Sequence, residues 1–145
     1  MVTRAHHEGT DRRRLLALLD RRVADALNLG AQARHAGWTV DGRGAGAAAV
    51  RLAALAARLG VHAELLADRS IALGGAPCAT PERVFARSSI PPLADESDPR
   101  VVEAMVARRL QRYVDGLAAD AELARELGDG ATARLYGELA GSARG

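Results

Sequence analysis

Apolar side chains recur every three to four residues along most of the chain, a spacing that predicts α-helices. The first predicted helix spans residues 11–37, and one of its faces carries Leu15, Leu16, Leu19, Val23, Ala26 and Leu27. The second spans 45–73, with its apolar stripe at Leu52, Leu55, Leu59, Leu66 and Leu73. The third, 98–127, uses Val102, Val106, Leu110, Tyr113 and Leu117, and a short fourth helix spans 131–142.

Glycine and proline divide these helices from one another. A glycine-containing turn at 39–44 separates the first two, and Gly74, Gly75 and Pro77 stop the second. All five prolines lie between Pro77 and Pro99, and the segment 81–87 within this stretch is predicted to form one short helix. So long a connection crosses the length of a helical bundle, because short turns suffice between antiparallel neighbours.

The pattern therefore predicts an all-α protein with one domain over residues 1–145. Two long helices, a long crossover containing a short helix, and two further helices make the four-helix bundle of ferritin-like folds. Residues 1–10 are charged and precede the first predicted cap at Thr10 and Asp11, so they are predicted to be a mobile tail.

Composition narrows the function classes. Apolar residues make up 48% but aromatic residues only 3%, so the core must consist mainly of Ala, Leu and Val. All twenty basic residues are arginine, and a net charge of +2 does not by itself indicate a nucleic-acid-binding protein. The first residues lack the apolar run of a signal peptide, no segment is apolar enough to span a membrane, and Cys78 is alone. These features predict a soluble cytoplasmic protein.

Four short motifs point to one family. They are Ala-Gly-Trp-Thr-Val-Asp-Gly at 36–42, Leu-Gly-Gly-Ala-Pro at 73–77, Ser-Ser-Ile-Pro at 88–91 and Glu-Leu-Gly-Asp at 126–129. Together they resemble the Dps family (DNA-binding proteins from starved cells), which are miniferritins. The resemblance covers nearly the whole chain. It implies a cage assembled from dimers, a dodecamer, that stores iron and protects DNA during oxidative stress.

The resemblance also implies where a ferroxidase centre would lie. In the family, two histidines of one subunit and an Asp and a Glu of its two-fold mate hold the iron. The histidine positions fall here on Gly37 and Ala49, and the acidic positions on Glu64 and Asp68. Trp38 keeps the family's tryptophan beside the site. Because Gly and Ala offer no donor atom, we expect iron to bind weakly and its oxidation to be impaired or lost.

Three functions stay open from the sequence. The first is a Dps-like cage that sequesters iron and protects DNA, with an impaired ferroxidase centre. The second is an active ferroxidase that uses Glu64, Asp68 and a non-standard ligand, and the third is a metal-free helical dimer acting as an interaction module. The face that carries Glu64 and Asp68 is otherwise small and apolar, which predicts a buried interface. A metal, or an arginine across the dimer, would neutralise the two carboxylates there.

Further residues complete the predicted sites. His62 falls on the leucine stripe of its helix and is predicted to be a core residue, whereas Trp38 either lies beside the metal or anchors the end of the first helix. The resemblance suggests an acidic pore lined by Glu126 and Asp129. It also suggests weak DNA binding through phosphate contacts of N-terminal arginines, namely Arg4, Arg12, Arg13 and Arg14.

Overall fold

The computed structural model describes the backbone of residues 2–77 and 79–145, and the side chains of that range from residue 8 onward. The described residues form five helices and no strand. The helices are α1 (Val2–Thr39), α2 (Ala45–Ala72), α3 (Pro81–Arg87), α4 (Pro99–Glu126) and α5 (Gly130–Ser142). The predicted all-α bundle with a long crossover and a short helix within it is confirmed. Cys78 lies outside the described residues.

The start of α1 differs from the prediction. The helix begins at Val2 rather than at residue 11, so the stretch predicted to be a tail continues the helix. Thr10 and Asp11 are ordinary positions within it, not caps. No proline occurs before Pro77, and Gly9 is the residue of lowest helix propensity ahead of Thr10. The other four helices lie within one residue of their predicted bounds.

Local chemistry explains where the helices begin. The turn before α2 has φ angles of 93° at Gly42 and 84° at Gly44, left-handed values that favour glycine. Asp98 caps α4 by accepting hydrogen bonds from the backbone nitrogens of Arg100 and Val101, and Pro99 occupies the first turn. Asp129 caps α5 in the same way through the backbone nitrogen of Thr132.

The core lies between the inward faces of the long helices. α1 packs along α2 and also contacts α3 and α4, while α5 packs mainly on α4. Small side chains let α1 and α2 come close, since a Cβ placed on Gly30 would lie 3.5 Å from the Cβ of Leu59. Tyr113 and Tyr136 are fully buried and supply most of the aromatic volume of the core. None of the described helices has the length and apolar character needed to cross a membrane.

A buried charge cluster joins α1, α4 and the crossover. The Arg22 Nε atom donates to an Asp120 carboxylate oxygen at 2.6 Å, and its Nη1 atom donates to Asp25 at 2.8 Å. Asp25, which is 0% exposed, also accepts from the Ser88 hydroxyl and from both the backbone nitrogen and the hydroxyl of Ser89. Burial acts to lower the pKa of Arg22, but the two carboxylates outweigh it and the pKa is raised. The guanidinium therefore remains charged and ties the crossover to the bundle.

Gly116 on α4 makes space for this guanidinium. A Cβ at position 116 would lie 2.6 Å from the Cζ atom of Arg22, which is closer than van der Waals contact allows. Arg22 cannot easily move away, because its hydrogen bonds to Asp25 and Asp120 fix the head group. Glycine is thus required at position 116 by packing rather than by backbone conformation.

His62 links three helices inside the bundle. It is 3% exposed, its Nδ1 lies 2.9 Å from the Tyr113 hydroxyl on α4, and its Nε2 lies 3.1 Å from the Ser142 hydroxyl on α5. Burial lowers the pKa of His62, and the charge of Arg58 adds to this effect. The prediction that His62 is a core residue is confirmed.

We expect Gly116→Ala to reduce the free energy of unfolding by about 1–3 kcal/mol, the usual cost of overpacking a well-filled interior. Gly137→Ala is the matched control, since Gly137 is an exposed helical glycine with nothing within 4 Å of an added Cβ. The control should gain up to about 1 kcal/mol from helix propensity. Urea unfolding followed by circular dichroism measures both, and equal behaviour of the two variants would contradict the packing role of Gly116.

We expect acid to destabilise the native chain partly through His62. As the pH falls through about 6.5, the unfolded chain takes up a proton at this residue that the folded chain does not, because the folded pKa is lowered. Stability is therefore lost as the pH falls, until it passes the folded pKa. His62→Gln should show a smaller loss between pH 7.5 and pH 5.5 in denaturant titrations. Identical losses in the two proteins would exclude this contribution.

Candidate functional site

The two positions that the sequence assigned to lost histidines lie side by side. Gly37 is near the end of α1 and Ala49 is in the second turn of α2. A Cβ on Gly37 would lie 3.6 Å from the carbonyl oxygen of Ala49 and 3.6 Å from the Cβ of Leu52, which are ordinary contact distances. The chain thus brings both positions together with room for a Cβ at position 37, yet neither residue has a side-chain donor atom.

The acidic pair lies elsewhere on the same helix. Glu64 and Asp68 are one turn apart and exposed on α2. Neither forms a hydrogen bond or ion pair with another described residue. Fifteen residues separate Ala49 from Glu64, which corresponds to about 22 Å along an α-helix. One copy of the chain therefore cannot bring the acidic pair to the Gly37 and Ala49 positions.

A metal site within a single copy does not fit these residues. Over the part of the chain that the structure describes, no group of three or more His, Cys, Asp or Glu side chains could hold a metal ion. Two adjacent carboxylates without an imidazole or a third protein ligand bind a hard cation only loosely. Among the described residues, any stronger site would need donor atoms from a second chain.

The exposed side of α2 is largely apolar. We call it the outer face of α2 and define it as Val50, Ala53, Ala57, Gly60, Val61, Glu64, Asp68 and Ile71. Val50 is 71% exposed, and Val61 and Ile71 are each 59% exposed. A row of exposed branched side chains on one helix is typical of a surface that another protein covers.

Trp38 extends this apolar surface. It is 76% exposed at the end of α1, directly after Gly37, so it does not anchor the helix end within one copy of the bundle. The helix-end anchor is thus not formed within a single copy, and the place of Trp38 beside a metal site stays a prediction.

The two residues predicted to line a pore differ in their surroundings. Glu126 is exposed at the end of α4, whereas Asp129 forms an ion pair with Arg69 at 3.2 Å and accepts a hydrogen bond from Thr132. Burial acts to raise the pKa of Asp129, but the bonds from Thr132 and the charge of Arg69 outweigh it and lower the pKa. Asp129 therefore has a local structural role, and pore lining stays a prediction.

The arginines predicted to contact DNA lie on α1. Arg12, Arg13 and Arg14 are exposed, and the side chain of Arg4 lies outside the described residues. Their DNA contact stays a prediction. His35 is exposed and lines a cavity with Phe85 and Pro91 on the side of α1 away from Gly37.

The sequence did not reveal the buried cluster of Arg22, Asp25 and Asp120. Arg22 and Asp25 are three residues apart, a spacing that usually marks an ion pair on a solvated helix face. The sequence did offer one sign of this cluster. Gly116 lies four residues before Asp120, and a glycine within a helix often marks close packing against another group.

Comparison with known proteins gives one family. Residues 16–141 match the model of the ferritin-like domain. No curated protein matches the chain by sequence.

Many solved structures of Dps proteins share the fold. A Dps homologue from Halobacterium salinarum is 28% identical with a TM-score of 0.83, and the match covers 90% of this chain and 73% of that one. A Dps protein from Bacillus brevis is 22% identical with a TM-score of 0.88, over 92% and 90% of the two chains. A Listeria innocua Dps with two histidines replaced by glycine is 19% identical with a TM-score of 0.83, over 89% and 86%.

We expect Trp38 to report assembly through its fluorescence, because it is the only tryptophan and is exposed in a single copy. On dilution into conditions where the chain is a single copy, the emission maximum should shift to longer wavelength as water reaches the indole. Emission and sedimentation would be measured on the same dilution series. A change in mass without a change in emission would exclude Trp38 from the contact surface.

Proposed function

Because this chain belongs to the ferritin-like domain family and has the fold of the Dps proteins, we propose that it is a subunit of an iron-sequestering, homo-oligomeric miniferritin shell whose ferroxidase centre is impaired. The observation that carries the proposal is the pairing of Gly37 with Ala49. These two positions lie next to each other, the resemblance assigns them to the family's imidazole ligands, and neither residue has a side-chain donor atom.

Self-association is supported by the outer face of α2. Exposed Val50, Val61 and Ile71 together with Trp38 form an apolar surface of a kind that isolated proteins rarely leave uncovered. The separation of about 22 Å between the acidic pair and Ala49 adds a second argument, since only another copy can bring the two halves of the site together. A dodecameric shell is the assembly implied by the resemblance.

Impaired oxidation is supported by the donor set. A two-chain site would contain the carboxylates of Glu64 and Asp68 but no imidazole, so ferrous iron would be held by oxygen atoms and water alone. The Listeria innocua variant is a useful parallel, because its two replaced histidines are twelve positions apart, as are Gly37 and Ala49. That protein still has the same fold. Loss of the imidazoles is thus compatible with an intact bundle.

With oxidation impaired, the proposed role is to store iron and to protect DNA rather than to oxidise ferrous iron rapidly. Carboxylates on an inner or interfacial surface attract ferrous ions by charge and hold them weakly. Protection of DNA would follow from withholding iron, and the exposed Arg12, Arg13 and Arg14 would add salt-sensitive phosphate contacts.

Two measurements on the native chain test the proposal. Multi-angle light scattering gives the mass of the assembly, which should be a multiple of the 15.2 kDa subunit corresponding to a closed shell. Stopped-flow absorbance with ferrous iron and peroxide gives the oxidation rate, which should be close to that without protein. A single-copy or dimeric mass would favour the interaction module, and rapid oxidation would favour the active ferroxidase.

We expect Gly37→His combined with Ala49→His to raise the peroxide-dependent oxidation rate by at least about 10-fold, since two positioned ligands are regained. A Cβ at position 37 would make only ordinary van der Waals contacts. The control is Ala104→His with Ala118→His, which adds two imidazoles at exposed positions of α4. Equal rates in the two double variants would contradict the assignment of the site.

A further inference from the structure

Arg34 is an unpaired cation beside the outer face of α2. It is exposed on α1 and has no hydrogen bond or ion pair with another described residue. The arginines of α2 are engaged: Arg51 pairs with Glu103, Arg58 donates to the carbonyl of Ala143, and Arg69 pairs with Asp129. Arg34 is therefore available to a partner, as are Glu64 and Asp68.

The register between α1 and α2 fixes the height of Arg34. Gly30 contacts Leu59, and Gly37, seven residues later, contacts Leu52, seven residues earlier, so the helices are antiparallel. Arg34 consequently lies level with Leu55. It is about 40° around α1 from Gly30, on the side of the exposed Trp38, so its side chain leaves α1 next to the outer face of α2.

The outer face of α2 is complementary to itself. It runs from Val50 to Ile71, and its midpoint lies between Gly60 and Val61. A two-fold axis at this midpoint packs α2 antiparallel against the α2 of a second copy. Glu64 then faces Ala57 of the second copy.

In the same register, Asp68 faces Ala53 of the second copy. The carboxylates of one copy thus lie opposite small alanine residues of the other copy. An axis displaced toward position 66 would instead oppose Glu64 to Asp68 of the second copy, and the like charges would repel.

We infer that Arg34 of each copy forms an ion pair with Glu64 and Asp68 of a second copy across this two-fold axis, so that a side chain supplies the positive charge at the acidic site. The inference rests on the proposed self-association. The carboxylates of the second copy span the levels of Ala53 to Ala57, and Arg34 lies level with Leu55 between them.

The energetics require such a cation. Two carboxylates enclosed in an apolar interface without a counter-charge are strongly unfavourable, and four would be enclosed in each symmetric dimer. A guanidinium can donate to two carboxylates at once, as Arg22 does to Asp25 and Asp120 within the bundle.

A charge exchange between two variants tests the pairing. Arg34→Glu and the double variant Glu64→Arg with Asp68→Arg each place like charges across the axis. Separately, each should self-associate more weakly by roughly 30-fold or more, the low end of the loss for a disrupted buried charge pair at an interface. Mixed together, they restore opposite charges at both ends of the axis. The mixture should recover native self-association, measured by sedimentation velocity.

Arg100→Glu is the control, because Arg100 is exposed in the first turn of α4, where negative charge is well tolerated. It should associate like the native chain, and circular dichroism verifies that all variants are folded. Folded variants that fail to associate even when mixed would overturn the pairing, as would an Arg34→Glu protein that associates normally. A native chain that stays a single copy would contradict the proposed function itself.

Discussion

The rise of an α-helix sets the constraint on which the candidate site depends. Ala49 and Glu64 belong to one straight helix, and about 22 Å separates them whatever the surrounding side chains do. No rearrangement of the bundle can close that distance within one chain. The acidic pair and the vacant ligand positions can meet only when a second copy presents its α2 in the opposite direction. Under the proposed function, the site is therefore complete only in an assembly of at least two copies.

The two faces of α2 differ in a way that suits the proposed assembly. Its inner face carries the leucines of the core, while its outer face combines small residues, exposed valines and isoleucine, and two unpaired carboxylates. Exposed carboxylates cost nothing in water but become unfavourable once the apolar surface is covered. Coverage and neutralisation must then occur together, which makes the identity of the cation the central chemical question about the site. The donor set argues against iron held in the family's manner, and the position of Arg34 offers an alternative within the chain.

Inside the bundle, too, an arginine neutralises two carboxylates that are shielded from water. Arg22 lies between Asp25 and Asp120 and is enclosed by helices. Its head group occupies the space that the missing side chain of Gly116 leaves. Through Asp25 the cluster also holds Ser88 and Ser89, so the long crossover is attached at its middle rather than only at its ends. Breaking such a cluster leaves a buried charge without a partner, which is costlier than losing an exposed ion pair. The crossover is thus positioned by charge as well as by apolar packing.

Periodicity, turn residues and prolines determined the helices and the bundle, because those signals act over a few residues and tertiary contacts did not override them. The start of α1 was missed, since a capping residue such as Thr10 marks the start of a helix only where the preceding residues are not themselves helical. The sequence also predicted that His62 is a core residue, as the structure has it, while its assignment of a site to Gly37, Ala49, Glu64 and Asp68 stays a prediction. Only the tertiary structure decided that Trp38 is exposed, that Asp129 is tied to Arg69, and that Arg22 is buried between two carboxylates. Each of these three environments depends on which helices pack together. The free energy of burying a charged or aromatic side chain is set by neighbours that are distant in sequence.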